Sequence, residues 1–181
     1  MSTSQKTPSR RRALSALAAI AAAVSTALIA PPRAAGADAE PLMIQIPKPK
    51  NWTRTSLRQS VMLPAPPERV YAALLDAKQF AAFTGQAAWV TPRPGYRFSM
   101  FGDRIIGRNI DLVPGSLIVQ AWRPTNWAPG IYSLVRFELK PHGSGTIVTL
   151  DQDGFPRGEY DSLERGWSDH YWTPLRKYLS A

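Results

Sequence analysis

The sequence predicts an α+β domain in which a curved antiparallel sheet of seven strands holds a long C-terminal helix, with two short helices after the first strand. From Phe98 to Trp122 the chain reads FSMFGDRIIGRNIDLVPGSLIVQAW, apolar-rich runs separated by FGD and VPGS turns, which is the pattern of a strand meander. At the end of the chain GWSDHYWTPLRKYL sets large aromatic side chains at helical spacing. Short turns join consecutive strands, so neighbours are antiparallel. A bent sheet closing on one aromatic-rich helix is expected to enclose a hollow.

The 181 residues, 44% of them hydrophobic, suit one domain with one core. All six Trp, six Tyr and six Phe lie after Asn51, so the first fifty residues contribute little to it. Residues 1–39 read as an export signal. A basic stretch, Ser9 to Arg12, precedes an uncharged run from Ala13 to Ala30, and Ala-x-Ala sites follow at Ala35–Ala37 and Ala37–Ala39. The run is rich in Ala and poor in Leu, which suits a cleaved leader, and its 18 residues are at the lower edge for spanning a bilayer. Membrane contact is therefore expected only through an uncleaved leader. Ser9 to Leu14, SRRRAL, resembles the twin-arginine export pattern, with Ala13 in the place of Phe and no Lys after Leu14, so the Sec route stays open. The expected location is periplasmic or extracellular.

The formal charge is +9. Removing residues 1–39 takes away five basic residues and one acidic one, leaving 17 minus 12, or +5. The remaining basic side chains are dispersed, which argues against nucleic-acid binding. The absence of Cys excludes disulfides, thiolate catalysis and Cys-ligated zinc.

Residues 40–52, with Pro41, Pro47 and Pro49, read as a linker to a domain spanning 53–181. Thr53 to Leu63 reads as the first strand, with Leu57, Val61 and Leu63 on one parity. Pro67 suits a first helical turn and Glu68 the helix dipole, so a helix runs to about Leu75. Asp76 to Phe83 forms a second helix ended by Gly85. Six further strands follow, at Ala87 to Val90, Tyr96 to Met100, Ile105 to Leu112, Ser116 to Trp122, Ser133 to Lys140 and Thr146 to Asp153. On the fourth of these, Ile118, Gln120 and Trp122 share a face opposite Leu117, Val119 and Ala121.

The last helix runs from Tyr160 to Leu179, with Tyr160, Leu163, Trp167, Tyr171, Leu175 and Tyr178 on one stripe. Gly166 is expected to let it approach the sheet closely. Pro174 cannot donate to the His170 carbonyl, so a kink or a fresh helix start is expected there.

With this element order in place, the chain resembles the activator-of-heat-shock-protein-90-ATPase homologue (AHSA-type) family, within the START-like (SRPBCC, helix-grip) superfamily. The resemblance rests on APPERVYAALLD at Ala65–Asp76, FTG at Phe83–Gly85, FGDRIIGRNIDLVPGSLIVQAWR at Phe101–Arg123, GT at Gly145–Thr146, and GW with YWTPLRKYL at Gly166–Leu179. It implies a seven-stranded sheet curled around the terminal helix, with an interior cavity for hydrophobic or amphipathic small molecules. The superfamily also holds cyclases and hydroxylase subunits, and eukaryotic relatives act on a chaperone ATPase as part of a larger protein.

The expected cavity lining comprises the aromatics Trp89, Phe98, Trp122, Phe155, Trp167 and Tyr171, with Arg104, Gln120, Gln152 and His170 as polar groups, and Trp127 in its loop capping the hollow or meeting a partner. Asp169 and His170 are neighbours on a helix and so do not face each other as a dyad. Two His with no HxH or HExxH spacing argue against a metal, and no cofactor is expected. Gly143–Gly145, GSG, reads as a hairpin turn, and Asp151 with Asp153 as a solvated face. The expectation is an exported binding domain that catalyses nothing. The alternatives are a cyclase- or hydrolase-type enzyme using Arg104, Gln120 or His170 to polarise a carbonyl, and a protein-interaction module.

Overall fold

Alternation sets the sheet. Along β4 (Leu117–Pro124), Ile118, Gln120 and Trp122 are buried while Leu117, Val119 and Ala121 are half-buried on the other face, the period of two that a pleated strand imposes. The computed structural model describes residues 50–181; the expected export signal and all of the linker up to residue 49 lie outside these described residues. Besides β4, the strands are β1 (Ser56–Leu63), β2 (Arg97–Met100), β3 (Ile105–Val113), β5 (Ser133–His142) and β6 (Gly145–Asp153). They form one antiparallel sheet in the order β1-β6-β5-β4-β3-β2.

Register aligns the buried rows across this sheet. Asn109, Gln120, Val135, Gln152 and Leu57 are successive cross-strand partners, and so are Phe98, Gly107, Trp122 and Ser133. A bulge between Asn109 and Asp111 leaves Ile110 outside the ladder and exposed.

The sheet has six strands among the described residues, not the expected seven. Ala87 to Val90 contributes one bridge, between Trp89 and Ser99, with N–H···O bonds of 2.8 and 2.9 Å. Pro92 and Pro94 follow at once, removing two donors and fixing their own φ, so a ladder cannot extend in that direction.

Between β1 and the bridge lie α1 (Pro67–Leu75) and α2 (Ala77–Thr84). α1 starts at a proline with Glu68 in its first turn and buries Val70, Ala73, Leu74 and Leu75. Asp76 caps α2, its carboxylate accepting from the Gln79 N–H at 2.9 Å. Gly85, at φ 68°, ends α2 in the left-handed conformation.

The terminal helix is not uniform. It runs as α3 (Tyr160–Gly166), a π-helical segment (Trp167–Trp172) and α4 (Thr173–Leu179). The Thr173 N–H reaches back five residues to the Ser168 carbonyl. Pro174 explains the wide turn, because its ring would collide with the His170 carbonyl in a tight one. The buried side chains are Tyr160, Trp167, Tyr171, Trp172, Leu175 and Leu179. Trp172 and Leu179 thus join the expected stripe, and Leu163 and Tyr178 are only half-buried at its margin.

Gly166 does not serve the close approach expected of it, since a methyl group there would meet nothing within 4 Å. Close approach occurs at Gly107, where a methyl group would overlap the Ala121 carbonyl oxygen and the Phe98 ring. The missing side chain makes room for that ring against β3.

Candidate functional site

Trp122 on β4 and Trp167 on the terminal helix stack with ring centroids 4.9 Å apart and planes 30° apart. Both are buried, and each indole is held from behind. The Trp122 Nε1–H donates to Gln120 Oε1 at 2.7 Å, and the Trp167 Nε1–H to Gln152 Oε1 at 2.7 Å. The glutamines are anchored in turn. Gln120 Nε2 donates to Asn109 Oδ1 at 2.8 Å, and Asn109 Nδ2 to the carbonyls of Thr91 and Arg93 at 2.8 and 3.2 Å. Gln152 Nε2 donates to Ser133 Oγ at 2.9 Å. Buried amides with this many partners are satisfied structural groups that fix ring orientation.

In front of the stacked indoles lies a cleft of about 440 Å³, open to solvent. Trp122 and Ile105 line it from the sheet, Phe101 from the β2–β3 turn, and Leu163, Gly166 and Trp167 from the helix. Arg104, Asn126, Glu159, Asp169 and His170 place polar groups around its mouth. Open space at Gly166 is explained here, because its Cα faces the cleft.

The β2–β3 turn supplies one wall under strain. Phe101, Gly102 and Asp103 all have left-handed φ values, 56°, 60° and 66°. For the two non-glycines this conformation is costly, by about 1–2 kcal/mol each. Ring packing holds Phe101 in place, with centroids 5.1 Å from Phe80, 5.4 Å from Tyr171 and 6.5 Å from His170. Tyr171, on the cleft floor, is buried, and its hydroxyl donates to Met100 Sδ at 3.3 Å. Burial pushes its phenol well above 10.0, so it stays protonated at neutral pH.

Of the residues expected to line a hollow, the structure brings Arg104, Trp122, Trp167, His170 and Tyr171 together at this cleft. Gln120 and Gln152 stand behind it, occupied by the indoles. Phe98 packs edge-on against Trp122 in the core. Phe155 is buried against Tyr160, away from the cleft. Trp89 is 61% exposed. Trp127 is a correction: it is only 6% exposed and belongs to the core, so it is no surface loop aromatic. Its Nε1 is buried without a hydrogen-bond partner. Asp103 and Arg104 form no ion pair among the described residues, whereas Asp151 pairs with the exposed Arg58 at 3.5 Å.

Sequence reasoning missed Phe101, Ile105, Leu163 and Gly166 as cleft residues and Asn109 as the anchor of Gln120. Asn109 did carry a signal. It shares the inward parity of Gly107 in a strand whose partner places Gln120 opposite. Among the described residues no three His, Asp or Glu side chains come together as a metal site, and no helix is long and apolar enough to cross a membrane.

An antiparallel sheet holding a C-terminal helix, with a cleft where the two diverge, defines a START-like helix-grip domain. The chain belongs to the family of Activator of Hsp90 ATPase homolog 1-like proteins, whose model matches residues 64–180. It is 34% identical over 119 residues to the Activator of 90 kDa heat shock protein ATPase homolog of Dictyostelium discoideum, covering 65% of this chain and 31% of that one. To the human Activator of 90 kDa heat shock protein ATPase homolog 1 it is 24% identical, covering 82% of this chain and 42% of that protein. The chain thus spans less than half the length of these curated relatives. Among solved structures, PFC0360w, an HSP90 activator from Plasmodium falciparum, superposes with a TM-score of 0.62 at 24% identity, over 65% of this chain and 91% of that one.

Proposed function

We propose that this protein is an exported binding domain that holds a hydrophobic or amphipathic small molecule in the cleft before Trp122 and Trp167, without catalysing a reaction. The observation that carries the reading is the cleft itself. Its volume of about 440 Å³ falls in the range of small-molecule sites. Its floor is aromatic, and Arg104 and His170 at the mouth supply the few polar groups such sites use for orientation. The glutamine-anchored indoles support a preformed floor, which lowers the ordering cost of binding. Export rests on the basic stretch and apolar run before Ala39.

Gly166 gives a direct test. A Gly166→Trp substitution fills the cleft from a position where a side chain meets open space. Native mass spectrometry of protein from its own compartment should find a copurifying small molecule in the wild type and none in the variant. Equal occupancy in both, or none in either together with no uptake of an apolar fluorescent probe, would overturn the reading.

A second reading has support in the relatives, which are named as activators of a heat-shock-protein ATPase. In that reading the domain is a protein-interaction module. Stimulation of a purified chaperone ATPase by this chain, undiminished in Gly166→Trp, would favour it. An enzyme of the cyclase or hydrolase type would have to work through Arg104 and His170, since Gln120 is already committed to Trp122.

A further inference from the structure

The face of the sheet turned away from the terminal helix carries a second depression, of about 570 Å³, over β2, β3 and β4. Arg97 and Arg108 line it, and they are direct cross-strand partners in the β2–β3 ladder. Like charges placed opposite each other destabilise a sheet. Neither arginine makes an ion pair among the described residues. Asp111, one row further along β3 beyond the bulge, pairs with neither.

Two exposed aromatic rings line the same depression. Trp89, held on β2 by its bridge to Ser99, is 61% exposed, and Tyr132, just before β5, is 45% exposed. Ala121, the partner of Arg108 on β4, keeps the floor low between them. A third cation adjoins. Arg123, paired with Ile106, sets its guanidinium 5.9 Å from the Tyr132 ring centre; its Nη1 donates to the Trp127 carbonyl at 3.0 Å and its buried Nε has no partner.

We infer that this depression is a second binding site, separate from the cleft, for an oxyanion carried on a flat aromatic or apolar body, with Arg97 and Arg108 gripping the anion and Trp89 and Tyr132 covering the body. Paired guanidinium forks match the oxygens of a phosphate or carboxylate and lose their mutual repulsion when an anion lies between them. Exposed rings beside them are otherwise a solvation cost. The same oxyanion chemistry is offered by a free aryl phosphate and by an anionic lipid headgroup.

Phenyl phosphate serves as the soluble probe, titrated calorimetrically, and phosphatidylglycerol vesicles as the lipid probe, followed by cosedimentation. The wild type should bind one of them, and Arg97→Gln/Arg108→Gln should weaken that binding at least about tenfold, the loss expected for paired charge-assisted contacts. Neutral phenol should bind far less well. The double variant should keep or raise the melting temperature, since it removes a repulsion, so a folding defect cannot imitate the result. Gly166→Trp should bind like the wild type, which separates this site from the cleft. Binding of phenyl phosphate alone assigns a soluble ligand, and binding of vesicles, competed by phenyl phosphate, assigns a headgroup. No binding of either probe at millimolar concentration, or equal binding by the double variant, overturns the inference.

Discussion

Trp122 and Trp167 come from two different elements, yet each donates its indole N–H to a buried glutamine at 2.7 Å, so the stack between sheet and helix is fixed by hydrogen bonds as well as by contact. Neither ring can turn without leaving an amide unpaired. Stability and cleft shape are therefore linked through the same four side chains.

Gln152→Leu should destabilise the fold by about 1–3 kcal/mol, because it orphans the Trp167 N–H in a dry interior. Adding Trp167→Phe removes the orphan, and the double variant should recover part of the loss. Denaturant titration of the three variants measures the coupling, and strictly additive losses would contradict the linkage.

Two glycines should respond in opposite directions. Gly107→Ala forces a methyl group into a backbone carbonyl and the Phe98 ring, and should cost about 1–3 kcal/mol or more. Gly166→Ala meets open space within a helix and should gain up to about 1 kcal/mol. Thermal unfolding of both variants checks the contrast.

Tyr171 makes stability depend on alkaline pH. Its buried phenol holds the proton more tightly when folded than when unfolded, so its contribution is fully present below the unfolded value near 10 and is lost as pH rises through the higher folded value. The slope is up to about 1.4 kcal/mol per pH unit for one group. Tyr71, raised by burial, and Tyr160, raised by burial and by Glu164, act in the same direction. Denaturation midpoints between pH 8 and 11 should fall for the wild type and fall less steeply for Tyr171→Phe.

Asp76→Ala should cost about 1 kcal/mol through loss of the α2 cap, and Asp76→Asn should keep most of it. Urea midpoints are sufficient to tell the two apart.

Much of the architecture was legible because burial in it alternates cleanly. The parity that put Gln120 and Trp122 on one face of β4 is the parity seen, and the turn signals located β3 to β6 within a residue or two. The strand assigned to Ala87–Val90 failed because apolar content does not report the missing donors of Pro92 and Pro94. For the site, parity placed Gln120 beside Trp122 but could not say that the indole already uses its oxygen. Trp127 lies in a loop, and loop position could not say that its side chain is buried in the core. Gly166 was read as a contact, when only coordinates reveal which side of a helix faces empty space.

The wide turn at Trp167–Trp172 fixes how long this helix must be. Wound at ordinary pitch, these same six residues would turn about 100° further and swing everything beyond them by that much around the axis. Leu175 and Leu179 would then point to water, and Pro174 and Tyr178 would take their places. One surplus residue, far from either end, thus decides whether the last two turns seat at all.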